Sequence, residues 1–334
     1  MRILFFDTIC YKPYDGDTLR SEPLGGAEAA VIRVAEGLAQ RPEVQQVRVM
    51  QHNRTVATGD RLRYIGPSDD PDGEPTHIVV IRTPLYVQNL RARFPHAKIC
   101  LWSHDMFIGP EWLEPFRHIL ASRIVPVCVS AWHRQQMVEL AASLGVQQPM
   151  PARFIYNPVD DDLAPDGTPC ENEKLVFFSS PHKGLENTLR VFGEFKEIPA
   201  LRDMKLYIAN PGYVDDQDTR AIPNVVNLGK LSHYQAMRHV RSSFAVLHLN
   251  NARAETFGLV HAEANAVGVP FLNSRMGATP EICPDPRQFV DVADVESVSG
   301  RLMDWRANGR PEVQVNPAFR RHRVVDAWIE LLGA

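Results

Sequence analysis

The sequence predicts an α/β protein of two doubly wound, Rossmann-like units, each built on a parallel sheet. Three observations predict this. The chain has 334 residues, more than one hydrophobic core usually organises. Both halves alternate short, continuously apolar runs with helical patterns, as strands covered by helices on both faces do. Between the halves lies Asn157–Lys174, which carries Pro158, Pro165, Gly167, Pro169 and the acids Asp160–Asp162. That composition suits an exposed linker. The expected units are residues 1–157 and 158–317, with a last helical stretch in 318–334 that can pack back on the first.

In the first half, Arg2–Phe6, Val47–Met50, His77–Ile81, Lys98–Trp102 and Arg123–Val129 read as strands. Gly26–Ala39 has Ala30, Val31, Val34 and Leu38 at helical spacing, and Glu111–Leu120 and Ala131–Leu144 are helical too. In the second half the expected strands are Leu175–Phe178, Lys205–Ala209, Val225–Leu228, Phe244–Leu249 and Pro270–Asn273. The expected helices there are Leu185–Glu197, Ser232–Val240 and Gly258–Val267. In Ala318–Leu332, Val324, Val325, Trp328, Leu331 and Leu332 share a helical face.

Composition narrows the function. Lys plus Arg is 36 against 40 for Asp plus Glu, a net charge of −4, so the balance gives no reason to expect nucleic acid. The five cysteines, Cys10, Cys100, Cys128, Cys170 and Cys283, form no C-x-x-C pair. Reduced thiols in a cytoplasmic protein are the simplest expectation. The apolar run before Asp7 is too short for a signal-peptide core, and no stretch approaches the ~18 apolar residues of a membrane span. Peripheral contact with a membrane surface stays open.

The most informative stretch runs from Asn250 to Pro270. It follows a strand and opens a helix, whose unpaired N-terminal amides suit a phosphate. Gly258 permits close approach of a ligand. Glu255 stands just before the helix and Glu263 about two turns in, and eight helical residues span about 12 Å. Three other stretches sit at expected strand ends. Ser179-Ser-Pro-His-Lys183-Gly184 can set a cation on a phosphate. Leu24-Gly25-Gly26-Ala-Glu28 lacks the G-x-G-x-x-G spacing of a dinucleotide fold. His104-Asp105 directly follows the strand Lys98–Trp102.

Two glutamates separated by seven residues, with Phe257-Gly258-Leu259 after the first, resemble the donor-site motif of retaining glycosyltransferase family 4. Gly268-Val-Pro270 and Gly277-Ala-Thr-Pro-Glu281 are similar to that family as well, as are Val129-Ser-Ala-Trp132-His133 and Ile155-Tyr-Asn157-Pro158. The resemblance implies the GT-B architecture, with the acceptor side in the first domain and the nucleotide-sugar donor in the second. It implies that Glu255 faces donor sugar hydroxyls and that the amides of Thr256, Phe257, Gly258 and Leu259 hold the diphosphate. Glu263 would hold the ribose. Ser179 and Lys183 would belong to the phosphate loop, Gly25 and Gly26 to a loop over the phosphates, and His104 and Asp105 to the transferred sugar. The family's usual second cation is replaced by Phe178, which Arg253 can compensate.

The expected activity is transfer of a hexose, with retention, from a UDP- or GDP-linked sugar to a hydroxyl acceptor that is a glycan, a lipid-linked molecule or a small molecule. Bacterial-type polysaccharide, lipopolysaccharide or glycoconjugate synthesis is the expected setting. No cofactor and no metal are expected, because Asp215-Asp216-Gln-Asp218 reads as a solvated turn. The alternatives are a nucleotide-sugar epimerase, a sugar phosphorylase, or a non-catalytic nucleotide-sugar-binding protein.

Overall fold

The structure is a computed structural model that describes residues 1–69, 73–210 and 222–334. The stretch from Asp215 to Asp218, expected to be a solvated turn, lies outside the described residues. The chain divides into two compact units: Met1–Gly16 with Ala27–Pro158 and Ala318–Ala334, and Asp17–Gly26 with Val159–Pro317.

The first unit holds β1 (Arg2–Asp7), β2 (Gln46–Gln51), β3 (Thr58–Gly59), β4 (Leu62–Ile65), β5 (His77–Ile81), β6 (Lys98–Trp102), β7 (Val125–Cys128) and β8 (Arg153–Phe154). Their order is β3-β4-β2-β1-β5-β6-β7-β8, and every pair is parallel except β3 with β4. Its apolar strands are buried on both faces: Ile3, Leu4 and Phe5 of β1 and Ile78–Ile81 of β5 are all at most 5% exposed. The helices so far along the chain are α1 (Gly16–Ser21), α2 (Gly26–Ala39), α3 (Val87–Arg93), α4 (Leu113–Ala121) and α5 (Ala131–Ser143). Most of α1 falls in the segment that clusters with the second unit.

The second unit holds β9 (Glu171–Phe177), β10 (Lys205–Asn210), β11 (Val225–Lys230), β12 (Ser243–Leu247) and β13 (Phe271–Leu272), in the order β11-β10-β9-β12-β13 and all parallel. Its helices are α6 (Leu185–Gly193), α7 (His233–Arg241), α8 (Leu259–Ala266), α9 (Thr279–Ile282) and α10 (Val295–Asn308). The core gathers Leu175, Phe177, Val191, Phe192, Leu206, Leu247 and Trp305.

The last helix, α11 (Arg321–Gly333), packs within the first unit. Trp328 meets Trp102 edge-on at 4.9 Å, and Lys98 Nζ donates to the Leu331 carbonyl at 2.6 Å. A Cβ at Gly37 would come within 2.4 Å of Val325 Cγ2, so glycine lets α2 and α11 approach.

In the second unit β9, α8 and α10 depart from the sequence reading. β9 begins at Glu171, inside the stretch expected to be linker. Its first three residues are exposed and polar, so it is backbone pairing that makes them strand: Glu171 lies opposite Ser243 of β12, and its amide donates to the Ser242 carbonyl at 2.8 Å. α8 begins at Leu259, with Gly258 left-handed as its N-cap, so Glu263 lies little more than one turn into the helix instead of two. The sequence reading passed over α10, although Asp294 caps the amides of Glu296 and Ser297, and Val298, Leu302 and Trp305 are buried at helical spacing.

Buried imidazoles give the fold a pH limit. Burial pushes His104 down to about 3, His133 and His248 to about 4, and His261 well below its ordinary value. The unfolded chain therefore binds more protons than the folded one between about pH 4 and 6.5, and stability falls as pH falls through that window. The melting temperature should drop by roughly 10 °C or more between pH 7 and pH 5. A melting temperature constant down to pH 5 would contradict neutral, buried imidazoles.

Candidate functional site

The second unit builds β10 and β11 on one side of β9, then crosses to build β12 and β13 on the other. The loops leaving β9 and β12 thus diverge from adjacent strand ends, where open parallel sheets hold ligands. Lys183 lies on the first loop and Glu255 on the second.

Glycine lets the two loops meet. Gly184 has φ +91°, and a Cβ there would stand 2.5 Å from Asn250 Cα and 2.8 Å from the Leu249 carbonyl oxygen. Asn250 then folds the second loop. Its Oδ1 accepts from the amides of Ala252 and Arg253 at 3.1 and 3.3 Å, and its Nδ2 donates to the Arg253 carbonyl at 2.7 Å. Glu255 is fixed by its backbone, which bridges to Gly277 and accepts from the Ala278 amide at 2.8 Å.

Lys183 Nζ donates to Glu255 Oε2 at 2.9 Å, with side chains 35% and 6% exposed. Glu255 Oε1 is buried and has no donor among the described residues. Burial by itself raises the Glu255 pKa, but the charge of Lys183 and its hydrogen bond outweigh it and hold the carboxyl below its ordinary value. The pair's contribution is therefore present above the unfolded carboxyl pKa of about 4.3 and is lost as pH falls through the folded value. Beneath the pair, His248 Nδ1 and His261 Nε2 share a hydrogen bond of 2.8 Å, and Asn273 Nδ2 lies 3.1 Å from His261 Nε2. Burial keeps both rings neutral near pH 7.

Gly258 has φ +90°, and neither it nor Gly184 gives its helix a side-chain cap. By contrast, Ser130, Ser232 and Asp294 cap α5, α7 and α10. Among the described residues no side chain caps α6 or α8, although the Leu185 amide that opens α6 donates to the Pro181 carbonyl at 3.0 Å, and the helix starts carry partial positive charge. The Phe257 side chain is 1% exposed and belongs to the core, so only its backbone can serve a ligand. Thr256 and Leu259 are half-buried, Arg253 is exposed and Ser179 is buried. Arg253 and Lys183 both act on His182, whose pKa is lowered first by burial and then by these cations. Glu263 is 3% exposed, and its Oε1 lies 2.8 Å from Nε2 of His233, the first residue of α7.

In the first unit, His104 sits 4.7 Å from the Trp102 ring, with burial holding it neutral at about 3. A neutral imidazole with so low a pKa is no proton donor near pH 7. Asp105 makes a two-point ion pair with Arg82 at 2.7 and 3.1 Å, and its carbonyl lies 2.9 Å from His133 Nε2. Burial raises the Asp105 pKa, but Arg82 outweighs that and brings it below its ordinary value. Arg82 holds φ +65°, an unusual conformation for a side-chain-bearing residue. Neither Gly25 nor Gly26 is left-handed, and a Cβ at Gly26, which clusters with the second unit, would meet Leu259 Cδ2 at an ordinary 3.8 Å.

Lys183, Glu255, Gly258, Leu259 and Glu263 thus gather at one end of the second sheet, whereas His104 and Asp105 belong to the first unit. Sequence reasoning missed Arg82, His233, His248, His261 and Asn273. Their partners come from distant elements, so no spacing signals them. Among the described residues, no group of three or more His, Cys, Asp or Glu is placed to hold a metal ion.

No protein-family model and no curated protein matches the chain. Solved structures do. The chain is similar to a sucrose-phosphate synthase from Thermosynechococcus elongatus, with 15% identity and a TM-score of 0.69 over 99% of this chain and 96% of that one. It is similar to AviGT4, a glycosyltransferase involved in avilamycin A biosynthesis, with 17% identity and a TM-score of 0.65 over 100% and 97%. It is similar as well to Anabaena HepE in complex with UDP and glucose, with 15% identity and a TM-score of 0.65 over 98% and 95%. At such identities the likeness shows the fold: α/β with two parallel-sheet domains, the GT-B arrangement.

The ion pair makes a stability prediction. Lys183→Met leaves the Glu255 charge buried without its main partner. A fully buried pair costs about 3–5 kcal/mol to break on one side; with Lys183 partly exposed, about 1–3 kcal/mol is expected after solvent screening. Adding Glu255→Gln should recover most of it. Urea unfolding of the two single variants and the double variant reads this, and additive losses would show that the pair is uncoupled.

Proposed function

We propose that the chain is a glycosyltransferase that takes its sugar from a nucleoside diphosphate sugar. The observation that carries this reading is Glu255: a buried carboxylate with one oxygen held by Lys183 and the other without a donor among the described residues. An unmet buried acceptor is costly, and a sugar hydroxyl supplies the missing hydrogen bond. The uncapped start of α8 next to it suits a diphosphate, and buried Glu263 on the same helix suits ribose hydroxyls. Two further points support the reading. The sequence resembles retaining glycosyltransferase family 4, and the fold is shared with proteins described as a glycosyltransferase and as a complex with UDP and glucose.

In the proposed reaction the acceptor oxygen bonds to the anomeric carbon as the bond from that carbon to the phosphate oxygen breaks. The acceptor's proton passes to the departing phosphate oxygen, on the same face, so configuration is retained. Charge growing on that phosphate is met by Lys183 and the helix amides, which act more strongly on the transition state than on the ground state. Arg253, exposed on the second loop, is the reserve cation. A hexose donor and metal independence belong to the same proposal.

A thermal-shift screen of UDP- and GDP-linked sugars tests it first: a ligand at 100 times its dissociation constant adds about 2.7 kcal/mol. With the donor found, Glu263→Ala should weaken nucleotide binding by about 1.5–3 kcal/mol. Lys183→Ala should lower kcat by roughly 10²–10³, with a smaller effect on donor affinity and no rescue by added Mg²⁺. Wild-type kcat in the Lys183 variant, or no nucleotide sugar that shifts the melting curve, would refute the assignment.

A further inference from the structure

Two buried carboxylates stand in the second unit's candidate site, and each meets a basic side chain from another element. Glu255 meets Lys183. Glu263 meets His233, 30 residues away in sequence: His233 Nε2 donates to Glu263 Oε1 at 2.8 Å, with side chains 27% and 4% exposed. Facing a carboxylate, that ring nitrogen is the one that carries the proton. The neighbours of Glu263 on α8, His261, Ala262, Ala264 and Asn265, are buried as well. Water therefore does little for the Glu263 charge, and a carboxylate so placed depends on donors from the protein.

The backbone aims His233. It opens α7, with two residues between it and the end of β11. Ser232 caps the helix: its Oγ accepts from the Gln235 amide at 3.4 Å, and Gln235 Oε1 accepts from the Ser232 amide at 3.0 Å. That capping box employs its first and fourth residues, so the imidazole between them is not part of it. A fixed donor matters to a glutamate, whose side-chain torsions otherwise sample many arrangements. Glu263 lies about 6 Å along α8 from Leu259, and the diphosphate is assigned to the amides at that end. The part of a nucleotide that follows its diphosphate is the ribose.

We propose that His233 is a positioning residue for the nucleoside end of the donor. It holds the Glu263 carboxylate where that group accepts hydrogen bonds from the ribose hydroxyls, and the site's preference for ribonucleotides over deoxyribonucleotides depends on it. His233 acts through Glu263 and not by contact with the sugar or the phosphates. The inference rests on the transferase reading, in which Glu263 meets the ribose; what it adds is the imidazole on α7 as the group that makes Glu263 selective.

The test is titration calorimetry on the full chain with UDP, GDP and the 2′,3′-dideoxy form of each. The ribonucleotide that binds should bind the wild type about tenfold or more tightly than its dideoxy form, as loss of charge-assisted hydrogen bonds implies. In His233→Ala, and in His233→Phe, which keeps a ring but no donor, the preference should fall to about twofold or less. It should fall because the ribonucleotide binds less well, with the dideoxy form binding as before. His233→Gln, whose amide can donate from nearly the same place, should restore most of the preference. Tyr234→Ala, at the 68% exposed neighbour in the same turn, should keep it. Equal weakening of both forms in the Ala and Phe variants would mean that the imidazole only supports the fold, and overturns the proposal. A full preference in those variants, or a preference lost in Tyr234→Ala, overturns it as well. These results leave the transferase reading standing, whereas a wild type that binds neither ribonucleotide would sink that reading and this proposal with it.

Discussion

The contact between Lys183 and Glu255 organises the second unit's candidate site. A carboxylate 5% exposed would normally take up a proton, and Lys183 is what keeps it ionised. The contact spans 72 residues of sequence, so it exists only because two loops from neighbouring strands are brought side by side. That placement follows from the strand order: β9 lies between β10 and β12, and the chain crosses from one side to the other. Sheet topology, loop contact and charge state are thus one chain of dependence.

Backbone conformations complete it. Gly184 and Gly258 hold left-handed conformations where a side chain would collide with the neighbouring loop or with His261. Each also stands where a capping Ser or Asp would otherwise sit, so neither helix start carries a side-chain cap. Glu255 is positioned from below by the Gly277-Ala278 backbone, at which a Cβ on Gly277 would strike the Glu255 carbonyl at 2.4 Å. The neutral His248–His261 pair fills the space underneath without adding a charge.

Much of the fold was legible because strong periodicity dominates it. Helix Gly26–Ala39 and strands His77–Ile81 and Lys98–Trp102 coincide with their expected spans. Elements held by pairing alone were not legible: polar Glu171–Glu173 become strand through β12, and Thr58–Gly59 and Arg153–Phe154 are two-residue strands at the sheet's edges. Likewise, the Glu255 and Glu263 spacing was visible as a local pattern. The partners of those residues, Lys183 and His233, are fixed by tertiary contacts, as is the Arg82–Asp105 pair. Sequence spacing carries no record of which loops will touch.

The account's central claim is that Glu255 holds a buried acceptor for a donor sugar. Titration calorimetry with UDP and with the UDP-sugar that most stabilises the protein, in wild type and in Glu255→Gln, tests this directly. The sugar nucleotide should bind the wild type about tenfold more tightly than UDP, roughly 1.4 kcal/mol, and that advantage should vanish in the variant while UDP affinity holds. An equal advantage in both proteins would mean that Glu255 does not touch the sugar, and would contradict the account.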